Sequence, residues 1–258
     1  GSWHIGGGVH KLADALAARC DERKVTIELN TKVARIALRN ERVAGVELSD
    51  GRRLDADIVV SNADASHLYG DLTSGSKAAA ALRQLRKATP SFSGFVMLLA
   101  AQGTTPGISH HNVWFPSDYD EEFDAVFTGR PPADPTIYAC VPDDPLMRPD
   151  SNHESWFVLV NAPRHGQGKR EFDWSSREFA EDYADRMLAA LAERGTDLRE
   201  RILWRELITP ADLQDRTGAP GGSIYGTSSN GMRAAFLRPA NTSPIEGLYL
   251  VGGSAHPG

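Results

Sequence analysis

The chain has 258 residues, enough for one large domain or two modest ones, and its hydrophobic fraction of 41% supports a sizeable core. A net charge of −6 with no basic block excludes nucleic acid as a partner, and the longest apolar runs, such as Phe95–Ala101, are far too short to span a membrane. Cys20 and Cys140 are too few and too isolated for a disulfide framework or a zinc site, and the N-terminus has neither the basic nor the apolar region of a signal peptide, so a reduced, cytoplasmic setting is expected.

The opening Gly6-Gly7-Gly8-Val9-His10-Lys11 invites a dinucleotide-loop reading and fails it. Lys11 stands where the third glycine belongs, and only five residues precede the run, so it reads as a helix-opening turn. Val9 to Arg19 predicts a helix, with Leu12, Ala15, Leu16 and Arg19 at helical spacing. Val25–Leu29 predicts a short strand turned by Asn30-Thr31, and Lys32–Leu38 a strand buried on at least one face. Arg42–Ser49 then leads into Asp50-Gly51, a strong hairpin signal, and Asp57–Asp64 reads as a buried strand ending in a polar turn.

Lys77–Ala88 predicts a helix closed by Pro90. Four strand candidates follow at Ser93–Ala100, Ser109–Phe115, Thr136–Val141 and Ser155–Asn161, separated by Pro-rich loops, a spacing that predicts a mostly antiparallel sheet. Ser175 with Glu178 forms a capping-box pattern ahead of a helix whose stripe Phe179, Tyr183, Met187 and Leu191 reads as core. Thr209-Pro210-Ala211-Asp212 marks another helix start. Finally Gly247–Gly258 is a buried strand running into glycines, where the chain stops, an ending that reads as truncation.

Chemistry-bearing clusters are sparse. His110 and His111, as neighbours on a strand, are expected on opposite faces, so no metal site is expected there. No G-x-S-x-G nucleophile elbow occurs. Asp143 and Asp144 read as a solvated turn rather than an acid–base pair.

Three stretches together resemble the phytoene desaturase and carotenoid desaturase family of FAD-dependent oxidoreductases, within the flavin amine oxidase-like superfamily. They are Trp3–Leu16, similar to the family's W-x-x-x-G-G-x-x-x-L-x-x-A-L; Asn30–Ile36 through Ala56–Asp64; and Phe236–Asn241 with Leu248–Gly258. Pro90–Phe95, His110–Phe115 and Val158–Pro163 add to the likeness. The fold class so implied is α+β (α/β): a partial FAD-binding domain over 1–64 (helix and β-meander), a mostly antiparallel-sheet substrate-binding domain with helices over 65–243, and the return strand and glycine turn of the FAD-binding domain over 244–258.

The resemblance implies that Val33 contacts the adenine end of FAD through its backbone. It implies that Gly252, Gly253 and Ser254 approach the flavin ribityl–phosphate region and that Pro257 and Gly258 are cofactor-binding with them; His256 is read as part of that turn. No catalytic residue is assigned. The implied parent is an FAD-dependent desaturase taking hydride and proton from adjacent carbons of a carotenoid or other isoprenoid, with peripheral membrane contact. Phe236–Pro239 and Gly226–Ser229 look closer to desaturases of acyclic or hydroxylated carotenoids than to phytoene desaturase itself. Two departures matter: the family's N-terminal G-x-G-x-x-G and the helix following its His-Pro-Gly turn are both missing. The chain is therefore expected to be a central and C-terminal portion, inactive alone and not retaining FAD. Other flavin oxidoreductases, acting on amines or retinol-like polyenes, and a non-catalytic isoprenoid-binding escort stay open as alternatives.

Overall fold

A computed structural model describes residues 3–227 and 238–256. Gly6–Gly8 is the expected turn: Gly8 N donates to Ile5 O at 2.8 Å, and α1 (His10–Glu22) follows. None of the α1 residues is buried, Leu12 and Leu16 included. Val25–Leu29 forms no strand, and its apolar residues stand exposed, Leu29 at 79%. Both departures have one physical reason. An apolar period reports which face seeks cover, and nothing among the described residues covers this one.

Next comes a three-stranded antiparallel meander, β1 (Val33–Arg39), β2 (Arg42–Leu48) and β3 (Arg53–Asp55). The β1–β2 turn uses Asn40 and Glu41 at φ 53° and 58°, the left-handed pair of a type I′ hairpin whose twist matches the strands. The second turn lies at the expected Asp50-Gly51, where the Asp50 carboxylate accepts from Arg52 N. β4 (Val59–Ser61) pairs in parallel with β12 (Leu248–Leu250), register Val59 to Leu248. The expected burial of β4 is corrected: Ile58 and Val60 are 61% and 60% exposed, because a two-stranded parallel pair has one face on the core and the other open. Between β4 and the next helix, α3 (Ser76–Leu85), lie a single helical turn, α2 (Ala65–His67), and a π-turn over Leu68–Leu72. Ile36, Val43, Leu68, Tyr69, Ala78, Ile245, Leu248 and Leu250 make one buried core from these parts.

The second core belongs to a five-stranded, wholly antiparallel sheet. Its strands are β5 (Ser93–Gln102), β6 (His111–Trp114), β7 (Ile137–Cys140), β8 (His153–Ala162) and β11 (Ile202–Ile208), in spatial order β11-β5-β8-β7-β6. All four expected strands form. In β8 the alternate residues Glu154, Trp156, Val158, Val160 and Ala162 are buried, the period-2 signature of a strand with one face on the core. They pack with α5 (Arg177–Glu193), whose Tyr183, Met187 and Leu191 are fully buried, as the stripe predicts. The helix cap is shifted by one residue from the expected box: Ser176, not Ser175, accepts from Phe179 N. α4 (Tyr119–Phe127) carries an Asp118 cap, and α6 (Pro210–Thr217) has the reciprocal Thr209–Asp212 box that its sequence announces. A minor parallel pair, β9 (Arg164–His165) and β10 (Glu171–Phe172), completes the strands. Among the described residues no helix is long and apolar enough to cross a membrane.

One buried ionic group anchors this sheet. Glu154 accepts from Thr105 N and Oγ1, both at 2.7 Å, from Trp156 Nε1 at 3.0 Å and from Arg201 Nη2 at 3.1 Å. Desolvation, the largest influence on its carboxyl, pushes the pKa up, but those hydrogen bonds outweigh it and hold it below the ordinary 4.5. A depressed carboxylate contributes stability that is full above the unfolded value and lost as pH falls through the folded one. Glu154→Gln is expected to cost about 1–3 kcal/mol near neutral pH, a deficit that shrinks as pH drops below 4.5, read by chemical denaturation across pH. A deficit constant down to strong acid would contradict this account.

Candidate functional site

The return of β12 beside β4 delivers the glycine turn to the polar turn that follows Ser61. Val251 N donates to Ser61 O at 2.9 Å, and Ser254 Oγ accepts from Ala65 N at 2.9 Å. Asp64 caps the short α2 turn by accepting from Ser66 N at 2.8 Å. Gly252 has φ 95°, and a Cβ there would stand 2.0 Å from Asn62 Oδ1, so only glycine fits. Gly253 differs: a Cβ there would meet nothing within 4 Å. Its carbonyl accepts from Arg238 Nη1 at 2.6 Å.

Against this turn lies a loop after α6. Ser223 and Gly226 line, together with Asp64 and Ser254, two adjoining cavities of about 50 Å³ and 260 Å³. The larger also takes in Asn62 and Gly253. The contact is close, since a Cβ on Gly226 would fall 2.8 Å from Ser254 Cβ. One wall of the cavities therefore comes from the unit holding β4 and β12, the other from the segment beyond the five-stranded sheet. Backbone groups, small residues and one carboxylate at the surface of a polar–apolar cleft suit a ligand approached through main chain rather than through a charged clamp.

An aromatic run reaches the same loop. Successive ring centroids lie 6.1 Å apart for Phe115–Tyr119, 5.1 Å for Tyr119–Phe123, 6.4 Å for Phe123–Phe127, 6.2 Å for Phe127–Phe92 and 6.0 Å for Phe92–Tyr225. Tyr119, Phe123 and Phe127 recur every four residues along one side of α4. Sequence reading missed this run because its members come from three separate segments; the i, i+4 spacing within α4 was the one available signal.

Of the residues singled out from sequence, Ser254 lines both cavities and Gly253 the larger one, while Gly252 lines neither and shapes the turn beside them. Val33 begins β1, the edge strand of the meander, and lines neither cavity. Pro257 and Gly258 lie outside the described residues, as does Phe236. His256 sits in the turn, its N donating to Pro239 O. Asp144 is corrected from a solvated turn to a buried cap: it accepts from Gly7 N at 2.7 Å and Leu146 N at 2.9 Å and faces His4 Nε2 at 3.0 Å. Those bonds, the Gly7 amide foremost, hold its carboxyl down to about 2. The opposite-face expectation for His110 and His111 is corrected too, since their ring centroids lie 4.6 Å apart; His110 precedes the first residue of β6 and escapes its alternation.

The sequence profile of one family, flavin containing amine oxidoreductase, matches residues 1–258. The chain belongs to that family. Within it, the chain is 35% identical over 261 residues to the hydroxyneurosporene desaturase of Rubrivivax gelatinosus, covering 100% of this chain and 49% of that protein. It is 34% identical over 266 residues to the 4,4'-diapolycopene oxygenase of Methylomonas sp, covering 100% of this chain and 52% of that protein. Its fold resembles that of an oxidoreductase from Methanosarcina mazei, with TM-score 0.63 and 20% identity over 97% of this chain and 50% of that one. The chain thus spans about half the length of the curated relatives it matches, and the resemblance drawn from its motifs to carotenoid desaturases is borne out.

The two glycines differ in what the fold requires of them. Gly252→Ala is expected to cost about 1–3 kcal/mol in thermal denaturation through its positive φ and the Asn62 clash. Gly253→Ala is expected to stay within about 0.5 kcal/mol of the unsubstituted chain. Equal losses at both positions would refute this division.

Proposed function

We propose that this chain is the substrate-side portion of an FAD-dependent carotenoid desaturase, which removes a hydride and a proton from adjacent carbons of a long acyclic polyene. The observation that carries the reading is the cleft where Gly253 and Ser254 meet Ser223, Ile224 and Gly226, with Gly253 facing open space and an aromatic run ending at Tyr225 of the same loop. The names of the relatives, a hydroxyneurosporene desaturase among them, support the substrate class. Gly253 and Ser254 would hold FAD at the turn, and the cofactor would supply the acceptor for the hydride, the proton being released to solvent.

The residues fit the group in one specific respect: the space beside Gly253 is what a Cβ would occupy, so main chain can approach the ribityl–phosphate portion there. Gly252 and Ser254 hold the turn rigid against Asn62 and Ala65. Val33, on an edge strand, offers backbone toward the adenine end. The rings from Phe115 to Tyr225 form a largely exposed apolar strip that a polyene would cover by apolar contact, and such contact carries no charge to compete with the chemistry. Phe115 and Tyr119, 65% and 51% exposed, are the outer end, where the parent would meet the lipid phase that holds its substrate. Asp64 spends one carboxylate oxygen on its cap and serves to position the turn. The 258-residue chain alone is proposed to be inactive and to retain no FAD, a reading supported by its spanning about half the length of the relatives it matches.

Two measurements test this. The visible spectrum of the purified chain, after FAD is added and the excess removed, is expected to show no stoichiometric flavin; tight retention would overturn the claim of an incomplete site. The full reading frame, loaded with FAD and given an acyclic polyene, is expected to release a product lacking two hydrogens with a red-shifted spectrum. In that protein Gly253→Val is expected to lower flavin content about 10-fold and Phe123→Ala to raise KM about 5- to 100-fold with flavin content unchanged. A product that gains oxygen, or no product from a flavin-loaded enzyme, would overturn the desaturase reading.

A further inference from the structure

β6 is the outermost strand of the five-stranded sheet, and His111 on it stands directly across from Cys140 on β7. Val141 N donates to His110 O at 2.8 Å, so residues 110 and 141 form the hydrogen-bonded pair. The neighbouring pair, His111 with Cys140, is then the non-hydrogen-bonded one, in which opposed side chains approach most closely. His110, just ahead of the strand, turns its ring onto that of His111 at 66° between planes. As a result the donor atoms of His110, His111 and Cys140 all lie within 4.8 Å of one another.

The surroundings are those of a ligand set rather than of packed core. His111 is exposed, while His110 and Cys140 are half-buried, so the cluster opens to solvent on one side. Tyr138 OH lies 2.8 Å from His111 Nδ1, which leaves Nε2 as the free donor atom. An outer hydrogen bond of this kind fixes the tautomer and orientation of a metal-bound imidazole. The His4 ring stands edge-on to His110 at 5.2 Å, with its own Nε2 facing Asp144 Oδ2.

We propose that His110, His111 and Cys140 bind one zinc-type divalent cation, with water in the fourth position. Two imidazoles and a thiolate are the mixed, borderline-soft donors that Zn²⁺ takes and that Mg²⁺ and Ca²⁺ do not. Zn–S near 2.3 Å and Zn–N near 2.0–2.1 Å put tetrahedral donors about 3.3–3.8 Å apart, so the cluster closes by about 1 Å on binding, a movement the exposed His111 side chain permits. The thiol proton passes to solvent as the thiolate binds. Bound there, the ion ties the edge strand and its approach to β7 and guards the open edge of the sheet. This site is independent of the flavin reading, since it involves none of the residues at the cleft.

The test uses Co²⁺ as the probe, because a cobalt–thiolate bond absorbs in the near ultraviolet and names its sulfur. The purified chain is expected to take up one equivalent of Co²⁺ with that band, to lose the band on adding Zn²⁺, to keep it in Cys20→Ser and to lose it in Cys140→Ser. His110→Gln and His111→Gln, at positions where the ring supports no core, are each expected to weaken Zn²⁺ binding at least about 10-fold with an unchanged circular dichroism spectrum. Absence of the band, its survival in Cys140→Ser, or unaltered affinity in both histidine variants overturns the site.

Discussion

The parallel pairing of β4 with β12 is the constraint on which the cleft depends. Three residue pairs, Val59–Leu248, Tyr249–Val60 and Leu250–Ser61, join segments from nearly opposite ends of the chain. Loop-closure entropy grows only slowly with the length of the intervening chain, so what such a contact needs is a local reward large enough to order the two strands. That reward is burial: Leu248 and Leu250 sit with Ile36, Val43 and Ile245 in one core. Once the strands are side by side, Asn62 and Asp64 follow from one and Gly252–Ser254 from the other, and their meeting is geometric necessity.

The five-stranded sheet plays a different part. β5 and β8 pair along ten residues, from Ser93–Ala162 to Gln102–His153, and together with α5 they bury Phe95, Met97, Trp156 and Met187. This is a self-sufficient core. Its contribution to the cleft is positional, through the links it makes at one end of β5. Ser93 Oγ donates to Gly222 O at 2.6 Å, Ser91 Oγ lies 2.7 Å from Ser223 Oγ, and Tyr225 N donates to Ser91 Oγ at 3.0 Å. A rigid strand thereby pins the loop that faces the glycine turn. Binding sites made of loop backbone gain their precision from such second contacts.

Legibility followed the physics of each signal. The strands β5, β7 and β8, the stripe of α5 and the Thr209 box were readable because period, β-branched content and capping chemistry are local properties. The Asp50-Gly51 hairpin was readable for the same reason, whereas the Asn40-Glu41 turn was not, since Glu at a positive φ is a choice the neighbouring strands impose. Asp144 was misread because two of its three partners, Gly7 and His4, come from the far start of the chain. His110 and His111 were misread because strict alternation was extended one residue past the strand. The glycine turn was recognised through family likeness, and its chemistry rests on contacts, Asn62 under Gly252 and open space beside Gly253, that no spacing rule contains.

The exposed apolar residues of the first unit complete the logic. Leu12 and Leu16 on α1, the unpaired Val25–Leu29 segment, and Ile58 and Val60 beside β4 all present hydrocarbon to water. Parallel strands are ordinarily covered on both faces, and β4 with β12 is covered on one. The return of β12 to β4 therefore settles one buried face of the pair, beside which the turn after each strand is set, and leaves the residues of the other face in water.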